Sequence, residues 1–178
     1  MTTMSDPLSI RPAEMRDLGA INTIYNREIR EGVATWDLDE WTLEARHRWF
    51  DEHDEGAPVF VAEIDGRVVG FAYLSRYREK PGYRWTREDT VYVAPEVQGR
   101  GVGRALLGTL VEAARALGIR VVVAWIESEN AGSIALHERF GFVLTGGEHD
   151  TGRKFGRWLS DVEMQLTLEG PANPDARG

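Results

Sequence analysis

The sequence predicts an α/β fold of the α+β kind, with one mixed central sheet flanked by helices in a single domain. Three observations carry this. Two strand-like runs, Val59 to Ile64 and Val68 to Leu74, meet at Asp65-Gly66, a strong hairpin signal. Ile119 to Ile126 is a continuous apolar run, as a strand buried on both faces requires. Between them, a run ending Val91-Tyr92-Val93-Ala94-Pro95 turns through Gly99, Gly101 and Gly103 into an amphipathic helix. Antiparallel hairpins come first and β-α-β-α-β units follow, giving the order β-α-α-β-β-β-α-β-α-β-β.

The remaining elements follow along the chain. Residues 1–7 are polar and are expected to be loose. Leu8 to Arg11 reads as a short first strand. Met15, Leu18, Ile21, Ile24, Tyr25 and Ile29 recur at helical spacing, with Arg11-Pro12-Ala13 as the entry. Glu31 to Leu38 is a loop carrying Thr35 and Trp36. A second helix is expected over Trp41 to Glu52, with Thr42 near its start and Trp41, Ala45 and Trp49 on one side. Arg76 to Tyr83 is polar and aromatic, contains Pro81-Gly82 and reads as a loop. Trp85 to Val93 is the strand before the glycine turn, and the helix after that turn runs to about Leu117, where Gly118 stands as C-terminal cap. Asn130 caps a short helix that reaches about Phe140 and is closed by Gly141. Phe142 to Leu144 and Asp161 to Leu168 are the last strands. The tail from Gly170 to Gly178 is expected to be disordered, so the folded domain spans residues 8–169.

At 178 residues, of which 42% are apolar, the chain is large enough for one substantial core. A formal net charge of −8 and the lack of a basic run argue against nucleic acid or an anionic membrane surface as partner. The arginines between residues 76 and 104 are a local exception that suits a small anionic ligand. With no cysteine, disulfides, thiolate-bound metals and cysteine nucleophiles are excluded. Four histidines without His-x-x-x-His spacing give no expectation of a metal site. No apolar run approaches membrane-spanning length and the first residues lack a signal-peptide pattern, so the expected location is the cytoplasm.

Gln98-Gly99-Arg100-Gly101-Val102-Gly103-Arg104 carries the strongest chemical signal. A glycine-rich turn from strand into helix suits phosphate. Glycines let a ligand approach the main chain, and the free N–H groups of the first helical turn point at the anion. Arg100 and Arg104 add cationic donors at the rim. A Walker loop would need Gly-Lys-Ser or Gly-Lys-Thr, which is absent. A Rossmann fingerprint would need G-x-G-x-x-G at the start of a βαβ unit, whereas here the spacing is G-x-G-x-G in mid-chain. Gln-x-x-Gly-x-Gly after a strand ending in Val-x-Pro resembles the pyrophosphate loop of the GCN5-related N-acetyltransferases (GNAT).

The resemblance covers about residues 8–168 and includes the order of elements. It narrows at Arg84 to Val93, Ile126-Glu127-Ser128-Glu129-Asn130, Leu136-His137-Glu138 with Gly141-Phe142, and Lys154-Phe155-Gly156-Arg157-Trp158. These segments resemble the phosphinothricin and methionine sulfoximine acetyltransferase branch. The resemblance implies acetyl-CoA as cosubstrate, the α-amine of a glutamate- or methionine-like compound as acceptor, and a homodimer.

Amine acetylation needs a neutral amine, a polarised thioester carbonyl and a stabilised leaving thiolate. Glu88 is the candidate base. It stands ahead of the glycine turn and shares a strand face with Thr86, Thr90 and Tyr92, and neighbouring Trp85 and Tyr83 are expected to raise its pKa by desolvation. Without the resemblance it reads as a solvated carboxylate at a strand end. Asp89 points the other way and is the weaker candidate.

The resemblance implies that this strand splays from its neighbour and offers main-chain N–H groups to the thioester. Val91 and Val93 are assigned there, and both also read as plain apolar strand residues. His137, where many relatives have tyrosine, is the candidate acid for the sulfur, with Ser133 on the same helical face. A lone helical histidine is as readily structural. Asn130 either caps its helix or bonds the pantetheine arm. For the acceptor, Arg78 and Arg84 would suit an anionic group, and Trp36, Tyr77, Tyr83, Trp85 and Phe155 either wall the pocket or pack elsewhere. Lys154 and Trp158 reach the site or a dimer seam. Lacking a cysteine carrier, direct transfer in a ternary complex is favoured. Acetylation of another small amine or a protein N-terminus, or noncatalytic acyl-CoA binding, stays open.

Overall fold

Alternate burial along β-branched and aromatic runs lays down the sheet. The computed structural model describes residues 7–53 and 56–169, so the expected loose ends fall almost wholly outside the described residues. Strands β1 (Ser9–Pro12), β2 (Val59–Ile64), β3 (Arg67–Arg76) and β4 (Thr86–Val93) pair antiparallel in sequence order. Asp65 and Gly66 take φ values of 51° and 71° at the β2–β3 turn, as a two-residue hairpin needs. β4 pairs parallel with β5 (Val121–Glu127), and β5 pairs antiparallel with β7 (Arg157–Thr167). β6 (Val143–Lys154) closes the order β1-β2-β3-β4-β5-β7-β6. The expected mixed sheet is present, and the apolar run from Ile119 supplies its central strand.

Helices cover both faces. On one, α1 (Leu18–Glu31) buries Leu18, Ile21, Tyr25 and Ile29 against Val61 and Phe71. The expected stripe begins one turn late, because Met15 lies in a 3-10 turn (Met15–Asp17) and is largely exposed. α2 (Leu43–Asp51) is capped by Thr42, whose hydroxyl accepts from the Ala45 N–H at 3.1 Å. Beneath it the Arg46 guanidinium is enclosed by the rings of Tyr25, Trp41 and Trp49, each within 4.7 Å. On the other face, α3 (Val102–Ala116) and α4 (Ala131–Arg139) contribute to the larger core. Leu106, Leu107, Leu110 and Ala114 of α3 join Ala72, Leu74, Val122 and Ala124 there. Each buried leucine contributes about 1.5–3 kcal/mol. No helix among the described residues is long and apolar enough to cross a membrane.

The last two strands differ from expectation. The sequence suggests short strands over 142–144 and 161–168, whereas β6 and β7 form a long hairpin arm of 12 and 11 residues. Its β6 side is exposed over most of its length, so no burial alternation is imposed on residues 145–151. The register also slips at Leu144/Gly146 and Glu148/Gly152, and the arm turns at Phe155 and Gly156 with φ values of 50° and 77°. Bulges and an Asp150 at φ 55° erase the period of two on which strand recognition rests.

Candidate active site

β4 and β5 part company halfway along. Their pairing covers only Thr86↔Val121, Arg87↔Val122 and Glu88↔Val123, yet β4 continues to Val93 and β5 to Glu127. The Ala94 N–H donates to the Val69 carbonyl at 2.8 Å, so the peptide groups of Tyr92 and Ala94 face β3. By strand alternation, those of Val91 and Val93 face the opening. The Val93 carbonyl there accepts from the Gln98 amide at 3.2 Å, which ties the turn to the strand end.

The glycine turn sits at the mouth of this opening. Gly99 and Gly101 have φ values of 74° and 84°, and a Cβ built on either meets nothing within 4 Å. Gly101 is the N-cap of α3, and the first bond within the helix runs from the Ala105 N–H to the Gly101 carbonyl. The N–H groups of Val102, Gly103 and Arg104 are therefore free for an anion. A Cβ on Gly103 would lie 3.4 Å from Leu136 and 3.7 Å from Val93, which places α3 hard against the strand end and α4. A groove of about 610 Å³ continues past Gly101, Arg104, Gly108 and Thr109 to Phe140, and Arg100 and Arg104 are exposed at its entrance. Open space before the loop, free donors and an unpaired strand edge fit an extended, phosphate-bearing thioester cosubstrate.

Glu88 stands where the strands separate. Its carboxyl has no hydrogen-bond or ion-pair partner among the described residues, and its pKa is raised to about 7 by burial, with the Asp89 charge adding to the shift. Besides Tyr92 of its own strand, Glu88 shares its face with Tyr73, which lies opposite Thr90. Burial likewise holds the Tyr73 hydroxyl above its ordinary value. Strand register identifies Tyr73, and the period of two along β3 was its only sequence signal.

The α4 candidates form a closed group. Asn130 caps the helix, its side-chain oxygen accepting from the Ser133 N–H at 3.1 Å. His137 is 3% exposed. Its Nε2 lies 3.0 Å from Asp89 Oδ2 and its Nδ1 2.7 Å from the Ser133 carbonyl. Burial opposes charge on the ring, but the Asp89 hydrogen bond and charge prevail, and the imidazole titrates above the ordinary histidine range. An acid for the leaving sulfur needs a proton directed into the groove. Both His137 nitrogens are directed elsewhere, so the acid role does not fit this geometry. Asp89, the alternative base, is turned to the same buried pair.

The acceptor candidates divide. Exposed Arg78 joins half-buried Tyr77 and Tyr83, whose rings meet edge to face 5.6 Å apart, and its guanidinium donates to both hydroxyls. Arg84 lies over the Trp85 ring at 5.1 Å and donates to the Pro81 carbonyl. Both cations border the connection that leads into Glu88. Lys154 is buried within its own chain. It is 4% exposed and donates to the Thr35 carbonyl at 2.8 Å and the Glu28 carbonyl at 3.4 Å. Burial lowers its pKa.

Lys154 thus anchors the β6–β7 arm to the loop after α1. Gly152 lets Trp36 pack directly on the arm, since a Cβ there would lie 2.3 Å from the indole. Phe155 and Trp158 stay exposed at the arm's turn. Lys154→Met is expected to leave the Thr35 carbonyl unpaired, while the Glu28 carbonyl keeps its bond from the Gly32 N–H, and to cost about 1–3 kcal/mol. Chemical denaturation would measure this, and unchanged stability would show that the anchor is dispensable.

Parted parallel strands over a glycine-entered helix, with a carboxyl titrating near neutrality at the fork, define an enzyme that moves an acyl group from a nucleotide-linked thioester to an amine. Comparison with known proteins places the chain directly. The acetyltransferase (GNAT) family profile matches residues 21–142, and the chain belongs to that family. It is 42% identical over 172 residues to the L-amino acid N-acyltransferase MnaT of Escherichia coli K12, covering 96% of this chain and 100% of that protein. It is also 42% identical over 170 residues to the L-methionine sulfoximine/L-methionine sulfone acetyltransferase of Salmonella typhimurium, covering 95% and 99%. Among solved structures, a phosphinothricin acetyltransferase from Sinorhizobium meliloti in complex with acetyl-CoA superposes with a TM-score of 0.91 at 38% identity, covering 96% of this chain and 94% of that one.

Proposed function

We propose that this enzyme acetylates the α-amine of a small amino-acid analogue of the methionine sulfoximine or phosphinothricin type, with acetyl-CoA as donor. The carrying observation is Glu88, a carboxyl with a pKa of about 7 at the fork of β4 and β5. The α-ammonium of a free amino acid titrates above the peptide N-terminal value of about 8. Raising the carboxyl from the reference value of 4.5 to about 7 narrows the gap for proton transfer from it by about 3.4 kcal/mol. Burial therefore makes Glu88 a workable base at neutral pH. The bound thioester supplies the acetyl group. The N–H groups of Val91 and Val93 are placed to polarise its carbonyl, and Val102, Gly103 and Arg104 present theirs to the pyrophosphate, with Arg100 beside them. A thiol of pKa near 8.5 needs little acid assistance to leave, which suits a site whose histidine is engaged elsewhere.

Arg78 and Arg84 are assigned to the acceptor's anionic groups, with Trp36, Tyr83 and Trp85 as its walls and Asn130 and Ser133 along the cosubstrate arm. Exposed Val143, Leu144 and Trp158 on the β6–β7 arm support assembly of two copies through this sheet edge; a monomeric mass by light scattering would count against it. The function is tested by thiol release from acetyl-CoA with methionine sulfoximine, methionine sulfone, phosphinothricin, polyamines and N-terminal peptides. Turnover is expected with the first three. Turnover confined to peptides would redirect the reading to protein N-termini, and binding without turnover would make the chain an acyl-CoA sensor.

A further inference from the structure

The hydrogen-bond partners of the buried His137 call for two ring protons. A carbonyl can only accept a hydrogen bond, so Nδ1, 2.7 Å from the Ser133 carbonyl, carries a proton. An ionised carboxylate can only accept, so Nε2, 3.0 Å from Asp89 Oδ2, carries the second. The ring is an imidazolium held in an ion pair whose side chains are 4% and 1% exposed. Asp89 Oδ1 is buried without a partner among the described residues. Phe142 stands edge-on to the imidazole at 4.9 Å, within an apolar cluster that includes Ala124 and Ile126 with Val91 and Ile134 against it. A buried ion pair is a weak source of net stability, so its position matters more than its energy.

That position is the fork. Glu88 is the last residue of β4 paired to β5, and Asp89 is the next. His137 comes from α4, which leaves β5 after a turn of three residues. The pair therefore links β4 to the β5–α4 unit where backbone pairing stops. We propose that Asp89 and His137 are positioning residues whose ion pair sets the opening between β4 and β5, holding the Val91 and Val93 peptide edge on one side and the Glu88 carboxyl on the other. This rests on the reading of that edge and Glu88 as the working parts. From the other face, Glu88 is met by Tyr73 of β3, with Arg46 of α2 and Asp37 of the preceding loop beyond it. On its own strand Glu88 is flanked by Arg87, whose guanidinium donates to the Gly56 carbonyl, and by Asp89, whose charge adds to the shift.

The test compares Asp89→Asn with Asp89→Ala. An asparagine amide can donate to a neutral His137 Nε2 while Nδ1–H keeps its bond to Ser133, so the link survives without its charge. Asp89→Asn is expected to bind acetyl-CoA within about threefold of wild type by calorimetry. The acid limb of its kcat/KM profile should move to lower pH, because the Asp89 charge that raises Glu88 is gone and the imidazolium lost with it is not among the causes of that shift. Nitrogen NMR should show His137 doubly protonated in wild type and protonated at Nδ1 alone in Asp89→Asn. Asp89→Ala is expected to lose tenfold or more in acetyl-CoA affinity. Wild-type affinity in Asp89→Ala, an unmoved limb in Asp89→Asn, or a singly protonated His137 in wild type would each overturn the proposal. If Asp89→Ala does not fold, the limb and the NMR states still decide. The affinity and NMR arms do not depend on Glu88 being the base, which Glu88→Gln tests alone.

Discussion

Glu88→Gln is expected to lower kcat/KM at pH 7 by about 10²–10⁴, the range for loss of a general base. Wild-type kcat/KM should rise with pH through about 7 and level off above it, because the carboxyl must be ionised to accept the amine proton. The variant should instead climb through the acceptor's own, higher pKa. A second effect has the opposite direction. Glu88 titrates at about 7 in the fold and near 4.5 when free, so the folded protein holds its proton more tightly. Wild-type stability is then full below pH 4.5 and declines as pH rises to about 7. Glutamine does not ionise, so the variant should become the more stable protein above pH 7, by up to about 3 kcal/mol. Denaturant titrations at pH 4.5 and 8 would measure this. Identical rate profiles for the two proteins would remove Glu88 from the base role.

Gly101→Val is expected to weaken acetyl-CoA binding by at least tenfold and also to destabilise the fold. Gly101 has a φ of 84°, where an L-residue costs about 1–2 kcal/mol and a β-branched one more. Its side chain would also project into the space before the free N–H groups of α3. Two further variants separate the effects. Gly103→Val adds methyl groups against Leu136 and Val93 and should lower affinity with a smaller loss of stability. Gly118→Ala imposes similar strain at φ 70° at the far end of α3 and should lower stability alone. Calorimetric affinity and thermal unfolding on the three proteins decide. Full affinity in a folded Gly103→Val would remove the pyrophosphate from this loop.

Much of the architecture is legible in the chain because its strands and helices are one-sided. The hairpin at Asp65-Gly66, the stripe Leu18-Ile21-Tyr25-Ile29 and the run after Ile119 each state their own burial. The β6–β7 arm is not legible, since an exposed arm with two register slips has no period to read. The glycine turn was readable as a sequence, because φ above zero at Gly99 and Gly101 and the free N–H groups that follow are local properties. His137 shows the limit of local reading. Its helical position was correct, yet its role turned on Asp89, 48 residues away in the chain. Lys154 is similar: a lysine next to an exposed turn reads as a surface residue until Thr35, 119 residues distant, takes its ammonium.

By itself, then, the chain determined what is encoded over one or two turns: the mixed α/β order, the phosphate-ready helix start, and a carboxylate in the strand leading to it. Periodicity and φ preference are short-range, and a sequence displays them directly. The tertiary structure alone decided where β4 leaves β5, that Tyr73 of β3 joins the face of Glu88, and that His137 and Lys154 are spent on buried partners. Desolvation, ion pairing and strand register depend on residues brought together from far along the chain. The protonation states on which the chemistry rests exist only once the fold has excluded water from the fork.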